Sequence, residues 1–221
     1  MKMTRRILAT VALAALAPLS ATAQDLKEVR ISSQPALLGS VPFTLAEEKG
    51  WWKEVGLKVT ITNFPAGAPQ IAASKSWDVG GTGGVPAVLG HVRFGIKTIG
   101  VSNDESAGNA LLARKDVADK FAKDPASIKG QTIVLTANST GDYAVQSCLK
   151  KWGLQKSDVT IKNMGQAEII SAMSSNNADL GGLWAPNIYT LEEKAGGKVL
   201  CSGKEGGAVV PGALIARGDY A

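Results

Sequence analysis

The 221-residue chain carries 24 Lys and Arg against 19 Asp and Glu, one His and two Cys, and 45% of it is hydrophobic. That mixture excludes a disordered polymer and a disulfide-knotted miniprotein, and a formal charge of +5 is too small to hold a nucleic acid strongly. One His and two widely spaced Cys are too few for a typical transition-metal site, so no metal is expected.

Lys2, Arg5 and Arg6 precede an apolar run over 7–17, and Ala21-Thr22-Ala23 offers a small-x-small cleavage site. Residues 1–23 therefore read as an export signal cut after Ala23. The run falls short of the roughly 20 apolar residues that span a bilayer, so no membrane anchor is expected. Most of the net charge leaves with these three bases. What remains is expected to be a soluble monomer in the periplasm.

Strands are predicted over 29–33, 56–64, 77–81 and 96–101, with helices over 41–49, 70–76 and 85–94 between them. Leu57, Val59 and Ile61 carry the two-residue alternation of the second strand. The theme repeats downstream, with strands over 132–136, 159–162 and 179–183 alternating with helices over 142–152, 167–175 and 187–195. Strands over 198–201 and 213–217 close the chain. Strands separated by single helices predict an α/β fold with parallel sheets and right-handed crossovers.

Two decapeptides, 109–118 and 212–221, share six of ten residues, including Ala113-Arg114 and Ala216-Arg217. The same short strand on entering and on leaving a segment suggests two lobes joined by two crossing strands, with a cleft between them. The expected division is a first lobe over 24–108, a hinge strand and second lobe over 109–211, and a return strand over 212–221. Seven connections leaving the carboxyl ends of the predicted strands are rich in Gly, Pro, Ser, Thr and Asn: 34–40, 65–69, 82–86, 102–108, 138–142, 165–166 and 184–187. Ligands of open α/β sheets bind outside those ends, where helix starts present free N–H groups.

Catalytic groups are sparse. His91 falls within a predicted helix and reads as a surface or packing residue, and no Gly-x-Ser-x-Gly, His-Glu-x-x-His or phosphate-loop Lys occurs. The run 80–84 lacks the Lys and Ser or Thr of a nucleotide loop and reads as a tight turn facing the cleft. Trp184 either stacks on a ligand or fills core. Cys148 shares a helical face with Val145, Leu149 and Trp152, which makes a buried thiol its ordinary reading, while an oxidising compartment permits a bridge to Cys201.

Several motifs carry a family resemblance: Pro42-Phe43-Thr44-Leu45-Ala46-Glu47-Glu48-Lys49-Gly50-Trp51-Trp52, Gly56-Leu57-Lys58-Val59, Phe64-Pro65-Ala66-Gly67 and Trp77-Asp78-Val79-Gly80. Further motifs are Ile128-Lys129-Gly130-Gln131-Thr132-Ile133, Gly153-Leu154-Gln155-Lys156-Ser157-Asp158-Val159 and Asn177-Ala178-Asp179-Leu180. In this order they resemble the periplasmic binding proteins of ABC importers that take up nitrate, taurine and alkanesulfonates. The resemblance implies a two-lobed, type II-like binding-protein fold with two hinge strands, closing on a small-molecule ligand. It implies an inner-membrane ABC permease with its cytoplasmic ATPase as partner, and neither cofactor nor catalysis. Carried onto this chain, the first lobe would offer Gln34, Pro35, Pro65, Ala66, Gly67, Thr82 and Gly83. The second would offer Ser139, Thr140, Gly141, Tyr143, Trp184 and Asn187, with Asn103 and Asp104 near the first crossing. The family usually continues for roughly another hundred residues with helices that finish the first lobe, so that lobe is expected to be incomplete at Ala221. A same-fold enzyme of thiamine-pyrimidine synthesis is an alternative, but its Cys cluster and His are not matched here. A ligand-binding sensor domain is another.

Overall fold

The computed structural model describes residues 25–221; the expected export signal and its expected cleavage point lie outside them. The first part of the chain runs β1 (Lys27–Ser33), α1 (Leu37–Glu48), α2 (Trp51–Glu54), β2 (Leu57–Asn63), α3 (Gly67–Ala72), β3 (Val79–Gly83), α4 (Gly84–Phe94) and β4 (Lys97–Asp104). A short 3-10 turn, Ser106–Gly108, then leads into β5 (Asn109–Ala113), α5 (Ala118–Lys123), β6 (Thr132–Leu135), α6 (Thr140–Lys151), β7 (Thr160–Asn163) and α7 (Gln166–Ser174). The chain ends with β8 (Leu180–Trp184), α8 (Asn187–Ala195), β9 (Lys198–Ser202) and β10 (Pro211–Ala216).

The strands form two five-stranded sheets of identical plan, β2-β1-β3-β10-β4 and β7-β6-β8-β5-β9. Within each, the first three strands are parallel, with Ile31 opposite Ile61 in one and Ile133 opposite Ile161 in the other. The expectation of wholly parallel sheets is corrected by the crossing strands. β10 enters the first sheet from the other lobe and runs antiparallel to β3 and β4, and β5 does the same between β8 and β9.

The repeated decapeptide is thus the pair β5 and β10, placed equivalently in the two sheets. Its Arg does the same work twice. The Arg114 N–H donates to the Asp179 carbonyl at 2.9 Å and its guanidinium meets Asp179 Oδ1 at 2.7 Å. The Arg217 N–H donates to the Asp78 carbonyl at 2.8 Å, and its guanidinium meets Asp78 Oδ1 at 3.2 Å. Each Arg pins the end of a crossing strand to the start of its neighbour.

Apolar alternation buries both faces of the second sheet. Leu111, Phe121, Ile133, Leu135 and Leu149 pack on one side, and Leu112, Val134, Ile169, Met173 and Leu183 on the other. The first sheet gathers a smaller cluster around Ile71, Trp77, Ile96 and Ile215, while Val88, Val92, Ile99 and Val101 stand exposed. Trp77 is fully buried and donates its indole N–H to the Gln70 carbonyl at 2.9 Å. Glycines permit the close packing behind the cleft: a Cβ on Gly81 would come within 2.6 Å of the Gly39 carbonyl.

Cys148, on the buried face of α6, is disulfide-bonded to Cys201 at the end of β9, with the Cα atoms 6.0 Å apart. The bridge replaces the ordinary reading of a buried thiol. Helix α1 begins four residues before its expected start and carries Pro42 inside it instead of at its first turn, although a proline there forfeits a backbone hydrogen bond. α2 and α5 lie outside the helices that the sequence predicts. Among the described residues, no helix is long and apolar enough to cross a membrane.

Candidate functional site

The carboxyl ends of the parallel strands in both lobes face a shared cavity of about 230 Å³. Six of the seven Gly-, Pro- and Ser-rich connections supply its wall, from Gln34 and Leu37 through Gly67, Thr82, Gly83 and Asn103 to Ser139, Thr140, Trp184 and Ala185. The connection at 165–166 stands behind it. There the buried Gln166 accepts the Trp184 N–H at 3.1 Å and the Asn187 side-chain amide at 3.4 Å.

The starts of five helices border the cavity: α1 after Ala36, α3 at Gly67, α4 after Gly83, α6 after Ser139 and α8 after Pro186. Ser139 Oγ accepts the Asp142 N–H at 3.1 Å and donates to the Thr136 carbonyl at 2.7 Å, which fixes the first turn of α6. On the opposite wall Gln34 Nε2 donates to Thr82 Oγ1 at 2.6 Å, with both residues buried. Helix starts of this kind favour the negative end of a ligand.

The lobes touch at the rim. Trp184, 7% exposed, lines the cavity and donates its indole N–H to the Pro35 carbonyl at 3.1 Å. It therefore ties the lobes together. The Leu37 N–H reaches the Ala185 carbonyl at 3.4 Å, and a Cβ on Gly83 would overlap Thr140 Cγ2.

Of the residues expected at the site, Gln34, Gly67, Thr82, Gly83, Asn103, Ser139, Thr140 and Trp184 come together around the cavity, with Asp104 beside them. Pro35 contributes its carbonyl to Trp184 without lining the wall. Pro65 is exposed, and Ala66 is buried as the residue preceding α3. Gly141 packs against the Trp184 ring, where a Cβ would come within 3.4 Å of Cε3. Tyr143 points elsewhere, into an apolar groove with Val88, Val209 and Pro211.

The wall also contains residues that the sequence did not single out, chiefly Leu37, Pro86, Glu105, Asn109 and Tyr189. Leu37, Pro86 and Glu105 lie in connections whose composition did mark them. Asn109 and Tyr189 sit in a strand and a helix, where nothing local announces that they face the cleft.

The charge on this wall is negative. Burial raises the Glu105 carboxyl above its usual range, the Asn103 amide offsets part of that rise and the Asp104 carboxylate adds to it. Asp104 is held low by hydrogen bonding to the Ser106 side chain and backbone, with its Oδ1 2.8 Å from the Ser106 N–H. Among the described residues lining the cavity there is no Lys, Arg or His. His91 is exposed and sits with Nδ1 3.2 Å from the Ile96 carbonyl beyond the end of α4, an ordinary surface position. Among the described residues no group of three or more His, Cys, Asp and Glu could hold a metal ion.

Two lobes of the same sheet plan, joined by paired crossing strands around a cavity rimmed by helix starts, define the two-lobed periplasmic binding protein fold. Residues 39–208 match the family model described as NMT1/THI5 like, and the chain belongs to that family. It is 29% identical over 218 residues to the taurine-binding periplasmic protein of Escherichia coli (strain K12), covering 95% of this chain and 64% of that one. Among solved structures it is similar to the alkanesulfonate-binding protein SsuA of Xanthomonas axonopodis pv. citri bound to MOPS, with TM-score 0.76 and 21% identity over 89% of this chain and 67% of that one. The periplasmic aliphatic sulphonate binding protein SsuA of Escherichia coli gives TM-score 0.74 and 22% identity, with 88% and 66% covered. The chain spans about 60% of the length of the curated relatives it matches.

Proposed function

We propose that this protein captures a small sulfonate-, taurine- or nitrate-like solute between its lobes, in the periplasm after export and cleavage at Ala23, and delivers it to an ABC permease without chemical change. The observation that carries this reading is the convergence of helix starts from both lobes, α1 and α4 against α6 and α8, on one cavity. Its volume, about 230 Å³, lies below the usual range for drug-sized ligands and suits a solute of few heavy atoms. A ligand contacting both lobes favours the closed arrangement by its differential affinity, and the closed form is what a permease would recognise. The names of the relatives support the solute class.

Calorimetry and thermal melting of the purified protein with taurine, ethanesulfonate and nitrate test this. A bound solute raises the melting temperature in a saturable way through linkage. No saturable heat and no shift with any of the three at millimolar concentration would overturn the reading.

A further inference from the structure

Glu105 stands where the chain first crosses between the lobes and lines the cavity, half-buried. Its backbone is held from both sides: the N–H donates to the Val210 carbonyl of the second crossing at 2.7 Å, and the carbonyl accepts Asn109 Nδ2 at 2.9 Å. The side chain therefore has a fixed root in the wall. Of the groups around it, the Asn103 side-chain amide hydrogen-bonds to the carboxyl, and Asp104 adds a like charge beside it. Lys204, from the connection after β9, faces Asp104 and not Glu105. The helices that border the cavity present Leu37, Pro86, Thr140 and Tyr189, and among the described lining residues no Lys, Arg or His balances the carboxyl.

An anion drawn to the helix starts shares about 230 Å³ with this carboxyl. At a separation of about 6 Å and an effective dielectric of about 20, an ionised Glu105 would weaken its binding on the order of a hundredfold. Asn109 Oδ1, buried and without a partner, is a further acceptor on a residue of the same wall. A neutral Glu105 removes the repulsion and contributes an O–H where the ionised group offers only acceptors. Burial has already brought the free protein part of the way, by lifting this carboxyl above its usual range.

We propose that Glu105 is protonated when the solute is held and turns its O–H toward the anion, so that capture takes up a proton and tightens as pH falls. This rests on the solute-capture reading and adds its regulation. By linkage, affinity is full below the titration point of the free carboxyl, falls by up to about tenfold per pH unit above it, and levels off above the titration point in the complex. Calorimetry of ethanesulfonate and nitrate over about pH 5 to 8 tests this, because neither anion exchanges a proton there. Near pH 7, bis-Tris and Tris, cationic buffers of different ionisation enthalpy, give the number of protons taken up. The native protein is expected to lose about tenfold or more in affinity over that range and to take up roughly half a proton or more near pH 7. In Glu105→Gln both effects should vanish, with affinity near the acid value of the native protein at every pH. Binding that is flat with pH and takes up no proton overturns the proposal and leaves solute capture standing. Proton uptake that persists in Glu105→Gln overturns it too, since another group then titrates. If taurine binds and neither plain anion does at any pH, the proposal falls while capture stands. If none of the three binds, solute capture falls and this inference falls with it. Should Glu105→Gln not fold, infrared difference spectra of the native protein decide the matter. A carboxylic acid carbonyl band must appear on binding at the pH of greatest proton uptake, and its absence overturns the proposal.

Discussion

Trp184, at the end of β8 in the second lobe, donates its indole N–H to the Pro35 carbonyl of the first lobe across 3.1 Å. The same ring packs over the start of α6, so one side chain senses both the cavity wall and the lobe contact. Trp184→Phe keeps an aromatic ring there and removes the donor. The lost hydrogen bond is worth about 0.5–1.5 kcal/mol, enough to shift an open–closed balance about two- to tenfold. Small-angle scattering should show a larger radius of gyration for the variant without ligand. A curve superimposable on that of the native protein would show that this bond does not hold the lobes together.

Gly83 tests the other rim contact. A side chain there would overlap Thr140 Cγ2 on the facing lobe. Gly83→Val should therefore wedge the lobes apart and abolish closure, shifting the melting temperature by only a few degrees because the overlap lies between lobes and not inside a core. Scattering and thermal melting together check it. A variant that unfolds outright would place the strain within the first lobe instead.

Much of this arrangement is legible in the sequence. The alternation of Leu57, Val59 and Ile61 and the repeat shared by 109–118 and 212–221 point to strands in the right places, because burying one face of a strand imposes a period of two. The cleft is legible through connections such as 82–86 and 138–142, since tight strand-to-helix turns need small residues. Direction is not. Trp184 ends a strand of the second sheet and Tyr143 sits in the first turn of the helix after another, yet one faces the cavity and the other an outer groove, and only the crossing of the lobes decides between them. Asn109 is hidden for the same reason, as the first residue of a strand whose aim depends on the other lobe. The pairing of Cys148 with Cys201 joins a helix face to a strand 53 residues away, a contact without local signal.

Asp78 anchors the first lobe through Arg30 at 2.7 Å and Arg217 at 3.2 Å. The Arg30 side-chain hydrogen bond is the main reason its carboxyl is held below the usual carboxylate range. A carboxylate lowered on folding contributes stability that is fully present above its unfolded value, about pH 4, and lost as pH falls through the folded one. Asp78→Asn should cost about 1–3 kcal/mol at neutral pH, and its deficit relative to the native protein should shrink in acid. Urea unfolding across that pH range measures both. A deficit that is constant with pH would separate Asp78 from the acid sensitivity of the fold.

The Cys148–Cys201 bridge closes a long loop within the second lobe. Reduction, or the paired change to serine, should cost about 2–4 kcal/mol through the freer unfolded chain and lower the melting temperature by roughly 5–15 °C. Calorimetric scans with and without reductant check this. Identical scans, with thiol labelling proving complete reduction, would remove the bridge from the stability of the protein.

The strand order also dictates a sequence of assembly. Every strand of the second sheet lies within an unbroken stretch, β5 to β9, whereas β3 and β4 of the first sheet are joined only through β10. As the chain emerges during synthesis, the later lobe can finish its hydrogen-bonded ladder while the earlier one still waits with two open edges, the kind that recruit stray strands. The half of the molecule that is made first is therefore the half that is completed last.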